Sequence, residues 1–229
     1  MTIGKATIWE DKFSDNFKPN ILETLVKKFE VSRRDVIRNL LPKNGGVLLD
    51  IACGSGETIL SVVSRFDKII GLDISKKRIG VARKRALLLK NVEFINYDFD
   101  KGIPLKNKSV DFVICEASLS YFYDLNYVFS EVSRVLKPSG RFIIEVPNYA
   151  FLTRRLALFF GKMPKTSSFL GWQDGGALHY FNYQTLKTII EENGFKVITK
   201  TNSGVLPEIR RIYPELLAGD IIYVCKKLK

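Results

Sequence analysis

The chain has 229 residues, 46% of them hydrophobic, enough to pack one α/β domain with additional cover. A single histidine, His179, excludes multi-histidine metal chemistry, and Cys53, Cys115 and Cys225 lie too far apart for a zinc motif or a disulfide framework. The net charge of +12 favours anionic surroundings, although its main cluster, from Lys76 to Lys90, reads as the solvated face of one helix.

In chain order, residues 1–20 mix Trp9, Phe13 and Phe17 with polar residues and suit a lid. Ile21–Phe29 has helical spacing, and a second short helix starts after Ser32 and stops before Pro42. Strand and helix then alternate. Gly46–Ile51, Lys68–Asp73, Val92–Tyr97, Val110–Cys115 and Arg141–Val146 are short apolar runs. Helices are expected from Glu57, after Ser75, and over Leu125–Leu136, the last leading into a Lys137-Pro138-Ser139-Gly140 turn. This alternation predicts a doubly wound, mostly parallel sheet covered on both faces. Beyond Pro147 the rhythm breaks. A helix over Tyr183–Asn193 ends at Gly194, and Phe195–Lys200 and Asp220–Cys225 read as closing strands. One domain is expected: a helical cover over 1–45, a core over 46–147, an insertion over 148–182, and a closing helix and strands over 183–229. The amino terminus lacks a signal-peptide pattern and no apolar run is long enough to span a membrane, so the expected address is the cytoplasm.

The most informative segment is Leu48-Leu49-Asp50-Ile51-Ala52-Cys53-Gly54-Ser55-Gly56, a strand entering a glycine turn that opens a helix. Glycine serves where the backbone bends sharply or a ligand approaches the main chain. The turn fails both the phosphate-loop pattern and the dinucleotide fingerprint, whose third glycine is replaced by Ile59. Asp50, just before the turn, suits an ammonium group better than a phosphate. Asp73, ending the next strand, can accept both hydroxyls of a ribose. Asp98 can accept from an exocyclic amine, with Phe99 as an apolar face beside a base. Together they describe one ligand carrying an ammonium, a ribose and an adenine.

These segments, with Val110–Phe122 and Glu131–Asn148, resemble the class I S-adenosylmethionine-dependent methyltransferases. The resemblance implies a Rossmann-like, seven-stranded sheet whose last strand is antiparallel, with S-adenosyl-L-methionine as cofactor. By position it implies that Asp50, Ala52, Gly54 and Gly56 surround the methionine part and that Asp73 and Ile74 hold the ribose. Asp98 and Phe99 then frame the adenine, and Glu116 lies near the sulfonium. His179 and Glu116 are the candidates for a general base, if the acceptor must lose a proton. Residues 145–166, 178–197 and 213–225 also resemble the methionine-biosynthesis protein W family, some members of which are thought to be partners of acyltransferases. The resulting expectation is methyl transfer to a small-molecule or lipid-linked acceptor; the basic, apolar stretch Arg154–Phe160 reads first as a helix packed on the domain with its arginines wet, and alternatively as a peripheral membrane contact. A scaffold keeping the fold, or a methyltransferase for RNA or protein, are the alternatives. Nucleic acid is not favoured, since Cys115-Glu116-Ala117-Ser118 stands where an Asn-Pro-Pro-Tyr-like tetrapeptide would serve base or amide nitrogen. Acceptor atom and oligomeric state stay open.

Overall fold

A computed structural model describes residues 30–162, 177–205 and 207–228. The expected aromatic lid at Trp9, Phe13 and Phe17, the helix over Ile21–Phe29 and the Gly175-Gly176 pair lie outside the described residues.

The short strand β1 (Glu30–Val31) and helix α1 (Arg33–Leu40) precede the glycine strand β2 (Gly45–Ile51). Next come α2 (Glu57–Val62), β3 (Phe66–Asp73), α3 (Lys76–Arg85), β4 (Val92–Asn96), β5 (Val110–Glu116), α4 (Leu125–Val135) and β6 (Leu136–Pro147). After β6 come α5 (Leu152–Phe159), α6 (Tyr183–Glu192), β7 (Phe195–Val205), α7 (Pro207–Ile212), α8 (Pro214–Leu217) and β8 (Asp220–Lys227). The sheet order is β1-β7-β8-β6-β5-β2-β3-β4. Pairs among β2 to β6 are parallel, and β8 runs antiparallel to both its neighbours. The expected seven strands are therefore present, and the two-residue β1 adds an edge piece to β7 that the sequence reading did not include.

Strand alternation divides the core. Leu49, Ile51, Val113, Cys115, Ile144 and Val146 face α4 and α6, while Leu48, Ile69, Ile114, Ile143 and Ile222 face α1, α2 and α3. Both sets are buried, which is why the central strands read as continuous apolar runs. Each fully buried side chain of this size contributes about 1.5–3 kcal/mol. All three cysteines are buried free thiols, and burial pushes the Cys115 thiol up to about 12.

Local signals set most element ends. Ser75 Oγ accepts the Arg78 N–H at the start of α3, Asn182 and Thr185 form a capping box on α6, and Gly194 follows α6 at φ 76°. The Lys137–Gly140 stretch was expected as a turn but lies within β6. There the pairing jumps from Leu136↔Val110 to Arg141↔Phe112, so the turn residues form an excursion that the strand absorbs.

The site depends on a close approach at Gly71 in β3. A Cβ there would stand 2.8 Å from Cys53 Sγ, Ile59 Cδ1 and Phe94 Cδ1, atoms of the glycine turn, α2 and β4. Gly71→Ala therefore overpacks the seat of the turn, and urea unfolding should show a loss of about 1–3 kcal/mol. Wild-type stability in that variant would mean that the neighbours yield freely.

Candidate active site

The carboxyl ends of β2, β3 and β4 meet at one edge, as the crevice rule for open α/β sheets requires. Leaving β2, the backbone enters the left-handed region at Ala52 (φ 60°), Gly54 (φ 57°) and Gly56 (φ 79°). Only Gly56 has no alternative for steric reasons as well, because a Cβ there would meet the Phe94 ring at 2.6 Å. Ala52 is less usual. Ala117 (φ 52°), directly after β5, shares this conformation, so two of the three non-glycine left-handed residues among the described residues flank the site.

Asp73 ties two turns together. Its Oδ2 accepts the Gly54 N–H and its Oδ1 the Ser75 N–H, both at 2.8 Å. The Asp73 backbone carbonyl in turn accepts from Tyr97 N and Asn96 Nδ2, and the Ile74 carbonyl accepts from Asn96 Nδ2 at 2.7 Å. Asp98 follows, its Oδ1 taking the Asp100 N–H at 3.1 Å. The edge thus brings together Asp50, Ala52, Gly54, Gly56, Asp73, Ile74 and Asp98.

Two candidates are placed differently from the sequence reading. The Phe99 ring is only 8% exposed and packs against Phe122 at 5.0 Å within the core, so it does not present an open face to a base. His179 Nε2 donates to the Phe122 carbonyl at 2.9 Å, leaving Nδ1 as its only acceptor. Its amide donates to the Ser120 carbonyl, so its hydrogen bonds anchor the 177–182 segment rather than joining Glu116 or Asp73.

Glu116 ends β5 with both oxygens engaged. Thr58 Oγ1 donates to Oε2 at 2.5 Å, and Arg33 Nε donates to Oε1 at 3.0 Å. Arg34 Nε lies 3.5 Å from the same Oε1. Glu145, the register partner of Glu116 on β6, is fully buried and neither carboxylate oxygen has a hydrogen bond. Among the described residues, the cation paired with it is Arg33, whose Nε lies at 3.8 Å. Asp220, starting β8, accepts from Ser203 Oγ at 2.7 Å and adds a third negative group to the row. Arg33, Thr58, Glu145 and Asp220 escaped the sequence reading. Glu145 carried a signal, a carboxylate within the apolar run Phe142–Val146, whereas nothing in the sequence marks Arg33.

Burial pushes the Asp50 carboxyl well above the usual carboxylate range, and Glu116 and Asp73 nearby push it the same way. Asp50 is 3% exposed, and no described residue donates a hydrogen bond to its carboxylate. An ammonium group placed there would supply the missing donor. Asp73 keeps a second lone pair on each oxygen for ribose hydroxyls. These acceptors therefore fit the ammonium and ribose of S-adenosylmethionine. With Phe99 turned inward, Asp98 is the member of that pair that would be left to meet an exocyclic amine.

A family model described as a methyltransferase domain matches residues 42–198. The chain belongs to the methyltransferase domain family. A demethylmenaquinone methyltransferase from Oceanobacillus iheyensis is 28% identical over 189 residues, covering 75% of this chain and 79% of that relative. An O-methyltransferase from Pyrenophora dematioidea is 31% identical over 139 residues, 59% of this methyltransferase-domain chain and 50% of the relative's length. The magnesium protoporphyrin IX methyltransferase of Synechocystis PCC 6803, solved with bound S-adenosylhomocysteine, shares the fold at a TM-score of 0.66 and 18% identity, covering 96% and 93% of the two chains.

The acid row gives a pH test. Burial holds the Glu145 carboxyl well above its ordinary 4.5; Arg33 opposes this and is outweighed. Because the folded chain binds this proton more tightly than the unfolded one, its contribution is present at low pH and is lost as pH rises above the ordinary carboxylate range. Glu145→Gln has no proton to lose. Thermal unfolding between about pH 5 and about pH 8 should show a shallower decline in the variant than in the wild type. An equal decline would mean that Glu145 is ionised throughout.

Proposed function

We propose that the chain is an S-adenosylmethionine-dependent methyltransferase acting on a small-molecule or lipid-linked acceptor. The observation that carries this reading is the buried Asp50 carboxylate, without a donor, beside a glycine turn that Asp73 holds by the Gly54 amide. The cofactor, when bound, supplies an electrophilic methyl group on a sulfonium. Asp50 binds its ammonium, Asp73 its ribose hydroxyls and Asp98 its exocyclic amine, while Ala52, Gly54, Gly56 and Ile74 shape the backbone around it.

Glu116 is clamped by Thr58 and Arg33, so it fixes charge and orientation near the reacting centre rather than carrying a proton away. Positioning of this kind supplies much of the rate in an in-line displacement. His179 Nδ1 is the acceptor atom left for a proton if the acceptor is a hydroxyl. The similarity to an O-methyltransferase and to demethylmenaquinone methyltransferases supports a small organic acceptor. No helix among the described residues is long and apolar enough to cross a membrane. The resemblance of the C-terminal half to the methionine-biosynthesis protein W family leaves a scaffold as the second reading.

Calorimetric titration with S-adenosylmethionine and S-adenosylhomocysteine separates the two. Micromolar binding is the expected result, and Asp73→Ala should weaken it at least about tenfold, or roughly 1.4 kcal/mol. No binding of either ligand would favour the scaffold. His179→Ala should leave cofactor affinity unchanged, and full turnover in that variant would confine His179 to its bond with Phe122.

A further inference from the structure

Two short helices at the edge of the site are built inside out. In α5 the fully buried residue is Arg154, 3% exposed, whereas Leu156, Phe159 and Phe160 face outward, Phe159 at 82%. In α7 the buried residue is Arg210, 5% exposed, whereas Ile209 and Ile212 face outward, Ile212 at 81%. Helices that pack on a core ordinarily turn the other way. A packed α5 with both arginines wet was the plain expectation from sequence, and only Arg155 obeys it.

The reason lies at their roots. Arg154 Nη1 donates to the carbonyls of Asn148 and Gly219, at 2.6 and 3.0 Å. Arg210 donates to Asn202 Oδ1 and to the Gly204 carbonyl, and Gly204 lies against Gly219 N. Both guanidiniums therefore satisfy backbone carbonyls around one turn, and each pins its helix there with the apolar side outward. Asn148 links this turn to the site: it directly follows β6, bridges to Phe181 beside His179, and donates to the carbonyls of Glu215 and Ala218. Both helices thus start from the sheet edge at which β6 ends, the edge that carries the glycine turn and Glu116.

Their surroundings are basic. Arg155, Lys162 and Arg211 are exposed on these helices and their ends, and the one exposed acid among them, Glu208, lies 3.3 Å from Arg211. Protruding apolar side chains ringed by cations match the boundary of a bilayer that carries anionic headgroups. The net charge of +12 favours the same approach.

We infer that α5 and α7 form a docking surface for an anionic phospholipid membrane, presenting the acceptor side of the crevice to it. The inference deepens the lipid-linked reading above and rests on it for its purpose, but vesicle binding can be measured without turnover.

The test is flotation of the full chain with vesicles of phosphatidylcholine alone and with phosphatidylglycerol added. Binding should require phosphatidylglycerol and weaken with salt. Phe159→Ser/Phe160→Ser and Arg155→Glu/Lys162→Glu/Arg211→Glu should each weaken partitioning by at least about tenfold. Circular dichroism and S-adenosylhomocysteine titration of the same variants report whether fold and cofactor site are intact, so failure of the methyltransferase reading is seen separately. Absence of vesicle binding overturns the inference. So does vesicle binding that both variants retain, since another surface would then be responsible. Light scattering that finds a dimer dispersed by Phe159→Ser/Phe160→Ser would overturn it in favour of a second copy of the chain.

Discussion

The bond pair on the Asp73 carboxylate, one amide from the glycine turn and one from the start of α3, organises the rest of the site. β2 and β3 are parallel neighbours and leave the sheet at the same edge, so their exits must separate without leaving amides unsatisfied. A single carboxylate bridging Gly54 and Ser75 solves this and keeps its remaining lone pairs toward the crevice. Gly71 makes it sterically feasible, because the turn rests on β3 where no side chain intervenes. Removing either feature would leave the sheet but not the seat.

Charge dominates the second half of the site. Asp50, Glu116, Glu145 and Asp220 approach one another with Arg33 among them, and such a collection is costly to bury unless it is paired or protonated. Arg33 answers part of the cost by binding Glu116 and standing near Glu145. Because Arg33 begins α1, the same contacts hold the N-terminal helix over the strand ends. Electrostatics at the crevice and docking of its cover are thus one interaction seen from two sides. A positively charged ligand entering beside Asp50 would relieve the remaining excess of negative charge.

Much of this was legible in the sequence because it is local. The alternation of apolar runs, the Ser75 cap and Gly194 after α6 each need only a few neighbouring residues to be read. Asp50, Asp73 and Asp98 were legible because their places at strand ends follow from the same alternation. The orientation of a ring was not: Phe99 turns inward because Phe122, twenty-odd residues on, offers it a core partner. Nor was the Arg33 clamp, which spans 83 residues to Glu116. Lys137–Gly140 reads as a turn by composition, yet the strand on either side carries it through. Long-range pairing decided each of these against local preference.

The inside-out helices show the same competition with the opposite sign. By composition Leu152–Phe159 is an ordinary amphipathic segment, and burying its leucines would gain more than burying an arginine. What reverses the choice is the turn around Gly219, where the Asn148 and Gly219 carbonyls, already accepting the Phe151 and Asn148 amides, turn a second lone pair to the guanidinium. A buried polar group without a partner costs about 1–3 kcal/mol, and these carbonyls give the guanidinium acceptors that no leucine could use. The arginines win the interior because they carry the donors, and the apolar side chains are displaced to the surface as a consequence. The result is an interior pinned by guanidiniums and an apolar exterior on α5 and α7, the surface proposed to meet a membrane. That conjunction, rather than the hydrophobicity of the segment by itself, links the architecture of the C-terminal region to the choice of acceptor.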